Sequence, residues 1–352
     1  MIIKELKFNN FKLFRENSYI FDSGINIICG DNATGKTSIV DGIHFVMLLR
    51  STNNLRATEL ITYRCDEMSV FGLFETKKGK KTALVLNSNK VRKMAQNDVE
   101  IKRTADYVDF SSVVSFSNKD IINLQLSPAS RRKMIDVVLC QIDKGYLISL
   151  NEYKKIIKDK NSLLKLEEEK TNFSLLNIYT NKQFELAMII QKKRKQFIDL
   201  LNEHISSIYN YISSSNETAK INYICNYNET NFFEKCKSDL QYKSCTVGAH
   251  RDDFAFMIDG KNVSMYASQG QIKTLAISFK MACVSLIRTL KEEPIVLLDD
   301  VFGELDKDRQ NQLINLLLEQ KNQVFITTPS LSDIEKTLVD SANIIYLEKT
   351  NN

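Results

Sequence analysis

The sequence has 352 residues, of which 43% are hydrophobic and 26% charged, with a formal net charge of +5. This composition is ordinary for a soluble globular protein, and the length allows two or more packed units. The positive charge permits nucleic acid as a partner but does not require it. Seven cysteines are scattered without a C-x-x-C pair, which argues against a zinc site and for a reducing compartment. No apolar run approaches about 18 residues and Glu5 stands close to the N-terminus, so we expect a cytoplasmic protein without a membrane partner.

The first part of the chain is organised around a phosphate-binding loop. Apolar patterns predict strands over 3–11, 19–21 and 25–29, and helical spacing follows from Ser38 to Leu49. Between the last strand and the helix the sequence fits G-x-x-x-x-G-K-[ST], whose backbone N–H groups wrap nucleotide phosphates at a helix N-terminus. The alternative is a glycine-rich turn that binds nothing. The predicted ATP-binding residues of this loop are Gly30, Asp31, Asn32, Ala33, Thr34, Gly35, Lys36, Thr37 and Ser38.

Individual side chains near the loop have expected roles. Lys36 would reach the β- and γ-phosphates, and the Thr37 hydroxyl would hold Mg²⁺. Upstream, Lys12 is placed to reach a nucleotide phosphate as well, with an ordinary surface lysine as the alternative.

The middle of the chain predicts an inserted helical arm. After strands over 69–74, 82–86 and 111–116, a helix is expected to begin at Pro128. From Gly145 to Ser213 there is no proline and no further glycine, and apolar residues recur at helical spacing. We therefore expect an antiparallel helix pair with its tip near 170–174 and a second helix about 60 Å long. The predicted domains are a head over 1–127 and 246–352 and a mainly helical arm over 128–245.

The arm carries two cationic groups that either contact a polyanion or form a solvated helix face. They are Lys154, Lys155, Lys158 and Lys160, then Lys192, Lys193, Arg194 and Lys195.

A second anion-binding element is predicted downstream of the arm. A strand over 220–227, a helix over 231–241 and a strand over 254–258 lead to the segment Ser268-Gln269-Gly270-Gln271. This segment opens a strongly periodic helix, so Ser268, Gly270 and Gln271 are candidates for binding a nucleotide phosphate. A helix N-cap with nothing bound is the alternative.

An acidic strand end completes the predicted site. Residues 294–298 read as a buried parallel strand that ends in Asp299 and Asp300. Together with a phosphate loop, the first acid is expected to hold Mg²⁺ with Thr37, and the second to orient or deprotonate the attacking water. A helix cap is the alternative for the two acids, because a helix is predicted over 308–319. A last strand over 323–328 would place Thr327 or Thr328 near the γ-phosphate.

This order of elements is that of ABC-type ATPases, in which the serine-glycine helix of one subunit covers the phosphate held by the loop of the other. The predicted fold class is therefore α/β, an ABC-type ATPase head with an antiparallel β layer and an inserted helical arm. The chain closely resembles the RecF family of bacterial recombination-repair ATPases. The residues that carry the resemblance are 9–12, 30–37, Ser127-Pro128 with Arg131-Arg132, 248–253, 267–271, 297–301 and 304–306.

The resemblance implies an ATP- and Mg²⁺-dependent homodimer that binds double-stranded DNA at gaps or junctions. It also implies work with RecR and RecO to load RecA in recombinational repair and replication restart. Asp300 stands where ABC proteins have glutamate, and its shorter reach suggests slow hydrolysis. Asn118 is the best substitute for the missing loop glutamine, and the switch histidine is absent, with Thr328 in its neighbourhood.

Other functions remain possible at this stage. A nucleotide-gated DNA clamp without hydrolysis and the ATPase subunit of a membrane transporter are the alternatives. For His250-Arg251-Asp252-Asp253, a structural or dimer-contact role competes with a role in chemistry.

Overall fold

The structure, a computed structural model, describes residues 1–88, 91–166, 172–319 and 321–348. The strands are β1 Ile2–Phe11, β2 Phe14–Ile20, β3 Ile25–Cys29, β4 Glu67–Thr76, β5 Gly79–Ser88, β6 Arg92–Gln96, β7 Val99–Glu100, β8 Val113–Ser117, β9 Ala219–Ile224, β10 Asp253–Ile258, β11 Lys261–Asn262, β12 Ile295–Asp299, β13 Val324–Thr328 and β14 Asn343–Tyr346. The α-helices are α1 Lys36–Leu48, α2 Thr104–Val108, α3 Asn118–Gln125, α4 Pro128–Ile142, α5 Lys144–Leu164, α6 Phe173–Ser213, α7 Phe232–Cys236, α8 Ser238–Tyr242, α9 Val263–Tyr266, α10 Gln269–Leu290, α11 Lys307–Glu319 and α12 Lys336–Asp340.

A five-stranded parallel sheet, in the order β14-β3-β13-β12-β8, forms the centre of the first compact unit. β3 and β13 are buried along their whole length, and β12 is buried up to its last residue. Their sequences are mostly apolar because both faces of a parallel sheet are covered. The carboxyl ends of β3, β12 and β13 therefore lie side by side, and they bring the phosphate loop and the paired acids to the same edge.

A six-stranded antiparallel sheet, in the order β2-β1-β4-β5-β6-β7, forms the second layer of this unit. α1 contacts strands of both sheets and so lies between them. The approach is close because Gly42 on α1 has no side chain: a Cβ there would lie 2.2 Å from Cε1 of Phe8. Phe8 in turn stacks on Phe11 and Phe14, which fills the space between the sheet and the helix. The strands β6, β7 and β14 were not predicted from the sequence.

Among the described residues, one helix, α10, is long and apolar enough to cross a membrane by length and composition. However, 78% of its apolar window is buried inside the protein, and its residues from Lys273 onward belong to the first unit. This burial is typical of a core helix.

The second compact unit comprises residues 122–207 and 216–272. α5 and α6 run antiparallel, since Lys182 pairs with Glu152 at 3.7 Å while Lys193 pairs with Asp143. α6 has 41 residues and is about 60 Å long, as predicted. The predicted tip at 170–174 lies partly outside the described residues. β9, β10 and β11 form a three-stranded antiparallel sheet, and the predicted helix over 231–241 is two short helices, α7 and α8.

The compact units group the chain differently from the sequence-based domain boundaries at 127 and 246. β10 and β11 fall in the second unit, because β10 pairs with β9 and because Asp253 at its start binds Arg131 of α4. These contacts between segments far apart in sequence are not visible in local patterns.

Both predicted cationic groups contain a buried member. Lys160 is 1% exposed and donates hydrogen bonds to Asp239 and Gln183, both at 2.8 Å. Arg194 is 2% exposed and pairs with Asp136 and Asp252. The expectation that either side chain contacts a polyanion or is solvated is therefore wrong. The burial of Arg194 was predictable from the helical spacing, because Arg194 lies on the same helix face as four buried apolar residues, Ala187, Ile190, Phe197 and Leu201.

Candidate nucleotide-binding site

The loop between β3 and α1 has the conformation that its glycines require. Gly35 adopts φ 105°, a region that favours glycine, and a Cβ there would lie 2.7 Å from Cζ of Phe14. At Gly30 a Cβ would lie 2.4 Å from the carbonyl oxygen of Leu347. Ala33 also adopts a positive φ of 66°. Asp31, Asn32 and Ala33 are exposed, whereas Thr34 and Ser38 are buried.

Lys36 is folded back over the loop. Its ammonium Nζ donates to the carbonyl oxygens of Gly30 at 2.5 Å and of Asp31 at 2.8 Å. Asp31 also accepts a hydrogen bond from Thr34 Oγ1 at 2.9 Å. The loop thus holds the Lys36 ammonium group near a helix N-terminus, a place that favours anions. The oxygens of a bound anion can replace the two loop carbonyls as its hydrogen-bond acceptors.

Thr37 and Asp299, 262 positions apart in the chain, meet at the edge of the parallel sheet. Thr37 Oγ1 donates to Asp299 Oδ1 at 3.0 Å, and Thr327 Oγ1 donates to the same oxygen at 2.8 Å. Burial raises the pKa of Asp299, and the charges of Asp300 and Asp41 raise it further, while the two threonine hydrogen bonds oppose these effects. A carboxylate in such surroundings favours a bound cation, because a positive charge relieves the desolvation and the repulsion.

Asp300 follows Asp299 with an exposed side chain and a backbone φ of 55°. Its N–H donates to Thr327 Oγ1 at 2.9 Å, and this bond helps to hold the left-handed conformation. The buried Thr327 hydroxyl therefore contacts both acids, a positioning role that the sequence did not reveal.

Thr327 and Thr328 have different partners. The Thr328 hydroxyl donates to the carbonyl oxygen of Ser330 at 2.7 Å and accepts from its N–H at 3.3 Å. Since strand neighbours point to opposite faces, only Thr327 faces the acids of β12, with which it shares a register position.

Lys12 contacts a buried carboxylate rather than solvent. Its Nζ lies 2.5 Å from Oδ2 of Asp41 on α1, and the side chain of Asp41 is fully buried. Asp41 also accepts hydrogen bonds from Ser51 Oγ and from the N–H and hydroxyl of Thr52. Lys12 thus connects the β1–β2 turn to the helix that follows the phosphate loop.

Asn118 begins α3 directly after β8, whose Ser117 is in register with Asp299. Its Oδ1 is buried and has no hydrogen-bond partner among the described residues. A buried amide oxygen without a donor is unfavourable. It is an acceptor that a bound cation or water would satisfy.

The serine-glycine segment lies in the second unit and forms a capping box. Ser268 Oγ accepts the N–H of Gln271 at 3.3 Å, while Gln271 Oε1 accepts the N–H of Ser268 at 2.9 Å. Gln271 Nε2 also donates to Glu217 Oε1 at 2.5 Å. The Ser268 side chain is exposed, and Gly270 is half-buried.

The segment 250–253 is occupied by contacts within the second unit. His250 donates from Nε2 to the carbonyl oxygen of Cys245 at 2.9 Å, so its Nδ1 accepts from Tyr153 Oη at 2.8 Å. Burial lowers the pKa of His250 to about 4, which keeps the ring neutral. Asp253 receives a bidentate pair from Arg131, with both bonds at 2.8 Å.

Asp252, also in this segment, is held by several donors. It accepts from Arg194 Nη1 at 2.7 Å and from Tyr223 Oη at 2.5 Å, and its backbone carbonyl accepts from Arg132. These partners favour a structural role for the segment.

Comparison with known proteins places this geometry in a family. The family model described as RecF/RecN/SMC N terminal domain matches residues 2–350. A protein of Agathobacter rectalis named DNA replication and repair protein RecF is 34% identical over 357 residues, covering 99% of this chain and 98% of its own. A protein of the same name from Lactococcus lactis subsp. cremoris strain MG1363 is 35% identical over 352 residues, with 99% and 97% covered.

Solved structures agree with this similarity. A structure of the recombination mediator protein RecF-ATP in the RecFOR pathway has a TM-score of 0.87 and 30% identity, with 95% of this chain and 93% of that chain covered. The Smc head domain of Pyrococcus furiosus, at 16% identity and a TM-score of 0.57, shares the fold, with 99% and 94% covered. The predicted α/β head of the ABC type is thus confirmed. The chain belongs to the RecF family.

Proposed function

We propose that the protein is an ATP-dependent DNA-binding protein of replication and recombinational repair. Two copies close around ATP, and slow hydrolysis separates them. The observation that carries the proposal is the hydrogen bond between Thr37 and Asp299, which unites the phosphate loop with an acidic strand end. The names of the relatives and the RecF-ATP structure support the nucleotide and the pathway.

The residues present fit ATP and Mg²⁺. The loop from Gly30 to Ser38 offers N–H groups at a helix N-terminus, and Lys36 exchanges its loop carbonyls for phosphate oxygens. Thr37 and Asp299 would hold Mg²⁺, and the unpartnered oxygen of Asn118 is a further acceptor at the end of the adjacent strand. Mg²⁺ supplies charge neutralisation at the phosphates. Lys12 would bind a phosphate oxygen from its place beside α1, where it pairs with Asp41.

Asp300 orients and deprotonates the water that attacks the γ-phosphate. Its exposed carboxylate follows the strand that carries Asp299, and its backbone is held by Thr327. The side chain is one carbon shorter than the glutamate of ABC proteins, which favours slow turnover. ATP hydrolysis then acts as a timer for DNA binding.

The second half of each site comes from the other copy. Ser268, Gly270 and Gln271 bind the γ-phosphate held by the partner's loop, and the exposed Ser268 side chain leaves this segment accessible. The DNA substrate is double-stranded with gaps or junctions, and RecO and RecR are the partners through which RecA is loaded. Family membership argues against the transporter alternative.

Light scattering tests the shared site. We expect the wild type to be monomeric without nucleotide and with ADP, and dimeric with ATP. Ser268→Arg should bind ATP, measured separately, yet remain monomeric. Ser268→Asn is the matched control, because asparagine keeps the N-cap and the helix start. A wild type that binds ATP and stays monomeric would refute the composite site.

Asp300→Asn distinguishes the ATPase from the non-hydrolysing clamp. We expect this variant to dimerise on ATP but to lose turnover, so that the dimer persists. If the wild type shows no turnover above Asp300→Asn, the protein is a clamp and hydrolysis has no part in its cycle.

A further inference from the structure

The first unit contains a cavity of about 580 Å³ far from the nucleotide site. It is lined by the β4–β5 turn, by the residues that follow α2 and by the segment after α10. The last two segments lead into β8 and β12, so the cavity lies at the amino ends of strands whose carboxyl ends carry the acids. A five-residue strand separates the two edges by about 17 Å.

Lysines dominate the charged lining of this cavity, which we call the lysine cavity. Its five lysines are Lys77, Lys78, Lys80, Lys81 and Lys291. Three carboxylates also line it, those of Asp106, Asp109 and Glu292, so positive charge is in excess. Lys77 Nζ pairs with Glu293 at 3.3 Å. Lys78 in the turn and Lys80 at the start of β5 are exposed, which leaves their charges accessible from solvent.

The structure fixes two of these lysines at the wall. Lys291 Nζ donates to the carbonyl oxygen of Asp109 at 2.6 Å and to that of Ser111 at 3.3 Å. Lys81 Nζ lies 4.7 Å from the ring centroid of Phe110, a cation–π contact.

Burial is the largest effect on the two wall lysines. It lowers the pKa of Lys81 and of Lys291, while the charge of Asp109 raises both and the charge of Lys78 lowers both by less. A cation in a partly desolvated place is unfavourable, and a bound anion would offset the desolvation.

We propose that the lysine cavity binds the phosphodiester backbone of duplex DNA, an inference that rests on the proposed DNA-binding function and adds a location to it. Lysines are point charges suited to phosphates without base recognition, and the lining formed by the described residues contains no arginine for a bidentate pair. A duplex presents phosphates at regular spacing, so one backbone reaches several lysines together. A single carboxylate of an acidic peptide would reach fewer lysines than a DNA backbone does.

Binding of a labelled duplex to the full-length protein with ATP, over a series of salt concentrations, tests the proposal. The variant is Lys78→Gln with Lys80→Gln, neither of which lies in the nucleotide site. The control, Lys220→Gln with Lys261→Gln, makes the same charge change at exposed lysines of the second unit. The slope of log K against log salt is negative, and each lost phosphate contact reduces its magnitude by about 0.9. We therefore expect the magnitude to decrease by about 1–2 and binding to be roughly tenfold weaker. ATP binding should not change.

Lysine acetylation mapped by mass spectrometry gives a direct second readout. Duplex DNA should protect Lys78 and Lys80 from acetylation and leave Lys220 and Lys261 reactive. If the wild type binds DNA but the cavity variant has the same slope as the control variant, and Lys78 and Lys80 of the DNA-bound wild type stay reactive, the cavity is not the DNA site, while the proposed function stands. If the wild type binds no duplex with ATP, the proposed DNA-binding function and this inference both fail.

Discussion

Replacement of Thr327 by valine removes one hydroxyl that serves both acids. Valine has nearly the same shape, so packing in this buried position is preserved. The change leaves the Asp300 N–H without its acceptor and takes one of two threonine donors from Asp299. An unsatisfied N–H costs about 1–3 kcal/mol and a hydrogen bond to a charged group contributes about 1.5–3 kcal/mol. Because Thr37 still serves Asp299, we expect a total loss of about 2–4 kcal/mol in the free energy of unfolding.

We expect Thr327→Val to lower ATP turnover as well as stability. With the Asp300 backbone no longer held, its carboxylate shifts, and ATP turnover should fall by about ten- to a hundredfold. Nucleotide binding without Mg²⁺ should remain, since the phosphate loop is intact. The loss of the Thr327 hydrogen bond also raises the pKa of Asp299 further, so the Mg²⁺ requirement for turnover should increase.

Urea unfolding, ATP turnover and a Mg²⁺ titration measure these effects. Thr327→Ser is the matched control, because it keeps the hydroxyl and loses only a methyl group. The serine variant should retain most of the turnover. If Thr327→Val and Thr327→Ser lose turnover equally, or if Thr327→Val loses none, the hydroxyl does not position the acids.

Three further predictions concern charged side chains. Asp299→Asn should make the nucleotide-free protein more stable in urea unfolding, because it removes a desolvated carboxylate beside Asp300. It should also abolish Mg²⁺-dependent turnover, and a less stable protein would contradict the reasoning. Lys12→Met should lower the free energy of unfolding by about 2–4 kcal/mol, because it leaves the buried Asp41 carboxylate without its cationic partner. Adding Asp41→Asn should recover part of this stability in a double-mutant cycle. Additive effects of the two replacements would show that the pair is not coupled. His250 has a folded pKa of about 4 against 6.5 unfolded, so the unfolded chain binds more protons between these values and stability falls as pH drops through that window, by about 2 kcal/mol at pH 5. His250→Gln should remove this pH dependence of the free energy of unfolding, measured in urea. If stability still falls with pH as in the wild type, other groups cause the dependence.

Local patterns in the sequence determined the elements of the candidate site. The phosphate loop, the buried strand before Asp299 and the periodic helix after Ser268 depend on residues close in sequence, because glycine turns, apolar runs and helical spacing are local properties. The long helices of the arm followed from the same rule and from the absence of proline, and of any glycine after Gly145, within them. The family resemblance likewise rested on short motifs.

Only the tertiary structure decided which side chains meet. The pairing of Lys12 with Asp41, the contact of Thr327 with both acids and the burial of Arg194 against Asp252 join segments far apart in the chain. Arg194 shows the reason most directly: in sequence it stands among lysines and resembles a solvated face, yet two carboxylates from other elements make its burial favourable. The lysine cavity arises in the same way, because the β4–β5 turn and Lys291 become neighbours only when the two sheets pack against α1.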